Sequence, residues 1–244
     1  ARERASAVAA QQANAGPPQP VREIDPSHVA VLAIAPGPGL ASALHSMGAA
    51  RVISGGQSMN PSTAELVAGL EAIPADQIII LPNNANILLT AHQAAKLTTK
   101  QVGVVPSRSV PQGLAALAAH SPGAALDANL KRMTRGLSQV RTVEVTHAVR
   151  DAVIDDITVT QGQAIAFVDD RLAAAGADLV EVTMAALVQA AVEDAELVTI
   201  FTGEGASDAD INALEASITG TAPGVEVEIH EGGQPHYPFV IAIE

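Results

Sequence analysis

From His28 onward, short apolar runs alternate with segments whose apolar residues recur every three or four positions. Runs such as HVAVLAIAP and QIIIL are almost wholly apolar, as are parallel strands buried on both faces. The intervening segments have helical spacing and begin with Gly, Pro or polar residues, which are typical of helix starts. Residues 27–122 are therefore predicted to form an α/β domain of four βα units around a doubly wound, mostly parallel sheet. Asn60 is the predicted cap of the helix after the second strand.

The pattern changes after residue 122. GAALDANLKRMTRGLSQV has the spacing of a linking helix. The β-runs that follow it are short and separated by turn residues, which favours antiparallel pairing. Two further helical segments and the strands VEVEIH and YPFVIAIE complete the chain. We predict a second, α+β domain over residues 123–244 with a mixed or antiparallel sheet. Residues 1–26 are predicted to be a helix tail followed by a Pro/Gly linker.

Composition narrows the classes of function. Hydrophobic residues make up 48% of the chain and aromatic residues only 2%, so the core must be aliphatic. The formal net charge is −13. It is uneven, because residues 27–122 hold four basic and three acidic residues, whereas residues 123–244 hold six basic and twenty acidic residues. Such a chain is a poor partner for nucleic acid or an anionic membrane.

Two absences in the sequence set further expectations. The chain has no cysteine, which excludes disulfides and thiolate metal sites. No apolar run reaches the roughly 18–20 residues that span a bilayer, and the start of the chain lacks the apolar centre of a signal peptide. We therefore expect a cytoplasmic protein without membrane insertion.

The best candidates for a contact site lie in the loops after the predicted parallel strands. Ligands and partners of open α/β sheets meet these loops at the carboxyl ends of the strands. Glycines there allow close approach of a partner's backbone, neutral amides offer donors and acceptors, and one arginine can hold a carboxylate or phosphate with two hydrogen bonds. The alternative is that the loops are ordinary βα turns. The candidates are Gly55, Gly56, Gln57, Ser58, Asn60, Asn83, Asn84, Ser107 and Arg108.

The tripeptide Gly-Gly-Gln occurs at residues 55–57 and again at residues 232–234. It is similar to the loop with which translation release factors hydrolyse peptidyl-tRNA, but that activity requires an RNA-binding surface, which this acidic chain lacks. The second copy is predicted to lie in a turn between two antiparallel strands. The two copies therefore need not share a role, and we interpret both as fold-shaping and interface loops.

Other chemistries fit poorly. GPGLAS ends in serine where a dinucleotide-binding loop has a third glycine, and the next strand does not end in the acid that would bind ribose. No P-loop and no Gly-x-Ser-x-Gly motif is present. His230 and His236 flank Glu231, and VRDAVIDD contains three acids, but a surface strand end and a solvated hairpin fit these segments better than a cation site. No metal site is predicted.

Five segments, in order, carry a specific resemblance: GGQSMNPST, LPNNANILLTAHQAA, VVPSRSVPQGLAAL, VTHAVRDAVIDD and VEIHEGGQPHYPFVIAIE. Residues 28–244 resemble the C-terminal region of FakA, the A component of bacterial fatty acid kinase, which is related to dihydroxyacetone kinase. ARERASAV resembles the helix that ends the middle domain of that family. The resemblance implies a fold like that of DegV proteins and of the dihydroxyacetone-binding kinase subunit.

The resemblance also implies a role within a larger kinase. The parent protein would be an ATP-dependent fatty acid or dihydroxyacetone-type kinase, a homodimer whose N-terminal domain binds ATP and Mg²⁺ through aspartates. Those aspartates are absent here, so neither a catalytic residue nor a cofactor is expected in this chain. The region would dock a separate DegV-like fatty-acid-binding subunit. The matched motifs add Arg150, Gly232, Gly233 and Gln234 as contact candidates.

A second function is open at this point. The chain could be a small-molecule binding domain that holds a fatty acid, another carboxylate or a keto compound in a cleft between its two domains. Arg108 and the first Gly-Gly-Gln loop would then contact the ligand.

Overall fold

The computed structural model describes residues 24–55 and 60–244. The chain divides into two compact units, the first ending at Leu137 and the second running from Ser138 to Glu244. Residues 1–23, which include nearly all of the predicted helix tail and linker, lie outside the described residues.

The first unit is built on a four-stranded parallel sheet in the order β2-β1-β3-β4. Helices α2 and α3 pack together, and α4 packs against both α1 and α5, so helices cover both faces of the sheet. This is the predicted doubly wound arrangement. The strands are β1 (Ala30–Ala35), β2 (Arg51–Ser54), β3 (Gln77–Leu81) and β4 (Gln101–Val104); the helices are α1 (Pro38–Ser46), α2 (Thr63–Glu71), α3 (Leu88–Leu97), α4 (Val110–Ala118) and α5 (Leu126–Gly136).

The hydrophobic pattern explains this sheet. Every residue of β1 is buried, as expected for the strand that lies between two parallel neighbours and under two helical layers. Helix starts are set by local capping. Ser62, not Asn60, caps α2, because its hydroxyl accepts from the backbone N–H of Glu65 while the Glu65 carboxylate accepts from the backbone N–H of Ser62.

Helix α5 belongs to the first unit, so the second unit starts at Ser138 and not at the expected position near Gly123. The reason is packing that a linking helix would not have. The Leu130 side chain lies over Gly103 of β4, where an added Cβ would come within 2.6 Å of it. A Cβ on Gly136 would lie 2.9 Å from the carbonyl oxygen of Ala115 in α4.

The second unit contains a six-stranded mixed sheet in the order β11-β10-β12-β5-β8-β9 and a separate two-stranded hairpin, β6-β7. Only β10 and β11 pair in parallel; the other neighbours are antiparallel. The α+β prediction is therefore confirmed. The strands are β5 (Arg141–His147), β6 (Ala152–Ile154), β7 (Ile157–Val159), β8 (Ala164–Val168), β9 (Arg171–Gly176), β10 (Leu197–Thr202), β11 (Glu226–Glu231) and β12 (Phe239–Ile243); the helices are α6 (Leu179–Gln189) and α7 (Asp208–Thr221).

Both helices of this unit pack against the same face of the large sheet. The buried cluster on that face combines alternate residues of the central strands, such as Val143, Ile200 and Phe239, with Leu187 of α6 and Leu214 of α7. On the opposite face, the β6-β7 hairpin packs against β8 and β9 through a smaller apolar cluster. Residue alternation therefore places Glu144 on the face opposite the helices.

The second Gly-Gly-Gln does not join two neighbouring strands, which corrects the predicted turn. Strand β10 lies between β11 and β12 and pairs with both. Residues 232–238, named the crossover segment here, pass over the end of β10 to reach β12. The sequence pattern misleads here because strands consecutive in sequence are commonly, but not always, neighbours in space.

No helix in the described part of the chain combines the length and apolarity needed to cross a bilayer.

Candidate functional site

The four parallel strands of the first unit end at one edge, which we call the carboxyl edge: the loops of residues 36–37, 55–62, 82–84 and 105–109. At its centre lies Asn83, which follows β3 and adopts a left-handed backbone with φ of 54°. The Asn83 side chain is buried, and its Nδ2 donates to the carbonyl oxygen of Ile34 in β1 at 2.9 Å. Asn83 thus ties together the ends of the two central strands.

Ser107, in the loop after β4, completes this arrangement. Its hydroxyl donates to Asn83 Oδ1 at 2.7 Å and accepts from the backbone N–H of Asn83 at 3.0 Å. Ser107 is fully buried. Helix α4 approaches so closely that a Cβ on Gly113 would lie 2.2 Å from Asn83 Oδ1. Asn83 and Ser107 therefore form an internal polar clamp, and their side chains are directed at the protein itself.

The remaining candidates in these two loops have different settings. Asn84 is half-buried, and its side chain accepts from the backbone N–H of Asn86, which caps the short 3-10 helix Ala85–Ile87. Arg108 is exposed, and its backbone N–H donates to the Gln112 side chain at 2.8 Å. Ser109 caps α4. These exposed or half-buried groups form the outer surface of the edge.

The loop after β2 is described only at its two ends. Gly55 is buried and Asn60 is exposed. Gly56, Gln57 and Ser58 lie outside the described residues.

The other candidates belong to the second unit. Gln234 is fully buried, and its Nε2 donates to the carbonyl oxygens of Phe201, at 2.8 Å, and Tyr237, at 3.1 Å. A Cβ on Gly232 would lie 2.0 Å from Gln234 Oε1. The second Gly-Gly-Gln is therefore an internal packing motif. Gly233, with φ of 63°, makes the turn, and Arg150 is exposed beside the β6-β7 hairpin.

A buried acid in the second unit was not identified from the sequence. Burial, reinforced by the negative charge of Asp170, raises the pKa of Glu144 to about 7. Burial also raises the pKa of Tyr237, with Glu144 and Asp170 contributing. Glu144, Asp170 and Tyr237 therefore form a cluster. Glu144 alternates with valines in TVEVT, a pattern that indicates a solvent-facing side chain.

Among the described residues, no group of three or more His, Asp or Glu side chains is arranged to hold a metal ion. The acids Asp155 and Asp156 form the turn of the β6-β7 hairpin with positive φ angles. The Asp155 carboxylate accepts from the backbone N–H of Leu172 in β9 at 2.9 Å. This acid therefore protects a backbone group of an edge strand, which limits edge-to-edge pairing.

The polar clamp predicts a measurable loss on Asn83→Gly. Glycine retains the left-handed backbone but removes both side-chain bonds, leaving the Ile34 carbonyl and the Ser107 hydroxyl with fewer partners. We expect the free energy of unfolding to fall by about 2 kcal/mol. Asn83→Ala should cost roughly 1 kcal/mol more, because alanine is strained at this φ. Urea denaturation measures both, and a glycine variant as stable as wild type would contradict the clamp.

The two-unit architecture defines the class of protein: it is the fold of DegV proteins and dihydroxyacetone kinases. A DegV family protein from Corynebacterium glutamicum superimposes with a TM-score of 0.61 at 19% identity, covering 89% of this chain and 96% of that one. The dihydroxyacetone kinase from C. freundii also gives 0.61, at 15% identity, covering 91% of this chain and 49% of that one. The Streptococcus pneumoniae fatty acid kinase (Fak) B3 protein loaded with linoleic acid gives 0.58 at 10% identity, covering 88% and 99%.

Sequence comparison is more specific. Residues 30–244 match the FakA-like C-terminal family, which is the C-terminal region of proteins like the A component of fatty acid kinase, and the chain belongs to this family. Protein YloV of Bacillus subtilis is 37% identical over 214 residues, which cover 88% of this chain and 39% of that protein. The chain thus spans about two fifths of the length of this relative. The predicted resemblance and DegV-like fold are confirmed.

Proposed function

We propose that this chain is the non-catalytic C-terminal domain of a fatty acid kinase and that it docks a separate fatty-acid-binding subunit of DegV-like fold. The family assignment to residues 30–244 is the observation that carries the proposal. ATP and Mg²⁺ would be bound by another part of the parent protein, where the fatty acid held by the docked subunit is phosphorylated. The proposed parent is a cytoplasmic homodimer.

We place the docking surface at the carboxyl edge of the first unit. Its interior is filled by the Asn83–Ser107 clamp, which supports a rigid presentation of the outer loops. Those loops expose neutral polar groups such as Asn60 and Asn86, with Arg108 as a cation. A rigid surface with few charges fits a protein partner, since binding then costs little conformational entropy.

Matched arginine insertions test this surface. Asn86→Arg adds a bulky cation to an exposed loop at the carboxyl edge, whereas Thr99→Arg adds the same side chain to an exposed loop at the opposite edge. We expect Asn86→Arg to weaken binding to the oleate-loaded DegV-like protein of the same organism by at least about tenfold, and Thr99→Arg to change it less than about twofold. Arg108→Ala should also weaken binding. Calorimetric titration measures all three.

The outcomes separate the claims. No binding by the wild-type chain would refute docking, and ATP-dependent acyl phosphate formation by this chain alone would refute its non-catalytic role. Binding that both arginine variants retain would move the interface away from the carboxyl edge.

A second candidate, supported by the fold shared with the linoleic acid-loaded protein, is direct binding of a fatty acid or other carboxylate. Native mass spectrometry of the purified chain tests it. A co-purifying lipid, or a thermal shift with added oleate, would favour this function over docking.

A further inference from the structure

The crossover segment, residues 232–238, is held down by bonds to two strands. The backbone N–H groups of Gly232 and Gly233 donate to the carbonyl oxygen of Thr202, and the N–H of Gly203 donates to that of Pro238. These bonds fasten the segment to the end of β10, and the buried Gln234 side chain reinforces them.

The same segment is fastened to β5 by one further bond. The Thr146 hydroxyl donates to the carbonyl oxygen of His236 at 2.6 Å. Thr146 and Glu144 are two residues apart on one strand and therefore lie on the same face of the sheet. The residue following His236 is Tyr237, whose phenol is close enough to Glu144 to be affected by its charge.

Glu144 is an unusual side chain to find beneath such a segment. Its cross-strand neighbours are apolar, Val240 on β12 and Phe167 on β8. The ionisable groups around it are Asp170, from the turn after β8, and Tyr237, from the crossover segment. Within the described residues, no hydrogen-bond or ion-pair partner reaches its carboxyl group. An ionised carboxylate in this setting is costly, whereas a neutral carboxylic acid is tolerated.

We propose that the crossover segment is a proton-controlled latch, which closes beside Glu144 while that carboxyl is neutral and opens when it ionises. Ionisation releases the proton to solvent and leaves a second negative charge near that of Asp170. Opening the segment admits water to this charge. The bonds from Thr146 and Gly203 are the ones that must break, because they hold the part of the segment nearest Tyr237.

The direction of the pH dependence follows from the raised pKa. The Glu144 pKa is about 7 in the closed state and 4.5, the ordinary value, once the carboxyl is solvated. The closed state then holds its proton in a range where the open state loses it. The latch is therefore tight below about pH 4.5 and loosens progressively as the pH rises to about 7.

Two measurements on the whole chain test the latch. Tyr237 is the only tyrosine, so a single ¹³C-labelled tyrosine signal reports its surroundings, and it should titrate with a midpoint near 7. Hydrogen exchange of the Gly233 and Gly203 amides, corrected for the intrinsic pH dependence, should show the opening constant rising on the order of 50-fold from pH 5 to pH 8. Both changes should vanish in Glu144→Gln and persist in Glu226→Gln, which removes an exposed acid.

Each other outcome overturns the proposal. If Glu144→Gln retains the wild-type profile, another group is responsible. An equal change in the amides of Val145 and Ile241, within the core strands, would assign the effect to global unfolding. Absence of any rise in exchange at Gly233 and Gly203 would show that ionisation is accommodated with the segment closed.

Discussion

Replacing Glu144 with glutamine should stabilise the protein at pH 8 by about 3 kcal/mol, because the substitution removes a charge that the native state accommodates poorly. Its pKa is raised from 4.5 to about 7 by burial and by Asp170. A raised carboxyl pKa means that the folded state binds more protons than the unfolded state between these two values. The wild-type free energy of unfolding should therefore fall as the pH rises through this window and remain low above it.

Urea denaturation between pH 5 and pH 9 measures this effect. At pH 5 the two proteins should differ by less than about 1 kcal/mol, since Glu144 is then largely neutral in the folded state. Glu226→Gln removes an exposed acid on β11 and should leave the wild-type pH dependence in place. Parallel curves for wild type and Glu144→Gln would show that this carboxyl does not determine the pH dependence.

The fold was predictable because its strands carry strong and distinct patterns. The uninterrupted apolar runs of β1 and β3 indicate parallel strands buried on both faces, and β11 shows the alternation of a half-exposed edge strand. Local patterns do not give tertiary contacts, however. The packing of Leu130 over Gly103 assigns α5 to the first unit, and that contact is not visible in either segment alone.

The candidate residues show a second limit. A neutral amide in a loop serves equally well as a contact for a partner and as a bond to a distant backbone carbonyl. Asn83 and Gln234 each donate to a carbonyl more than thirty residues away, at Ile34 and Phe201. Sequence marks such residues as special but cannot state where their bonds go. Glu144 is the converse case, because its alternation with valines indicates exposure and only the tertiary structure buries it.

The two Gly-Gly-Gln copies therefore differ in kind. The first begins at the carboxyl edge of a parallel sheet, where Gly55 follows β2. The second belongs to a mixed sheet in the other unit, and its glutamine is a buried bond donor. Shared residue types reflect shared physical needs, which are a tight turn and an adaptable amide, and do not by themselves indicate a shared function.

The dense packing around the second copy predicts that Gly203→Ala is among the most damaging small substitutions in this chain. A Cβ at this position would lie 2.2 Å from the carbonyl oxygen of Tyr237 and 2.5 Å from that of Gln234. Both obstacles are backbone atoms, which cannot rotate away as a side chain can. Relief requires the crossover segment to move, which breaks the bond from the Gly203 N–H to Pro238. We expect a loss of about 3 kcal/mol in the free energy of unfolding.

Gly220→Ala is the matched control. Gly220 lies in α7, and an added Cβ there meets nothing within 4 Å. Alanine should raise stability by up to about 1 kcal/mol, since it has the higher helix propensity. Thermal or urea denaturation of the two variants should therefore move in opposite directions from wild type. A Gly203→Ala protein with wild-type stability would mean that the crossover segment yields easily, and the tight seating of Gln234 against β10 would then be wrong.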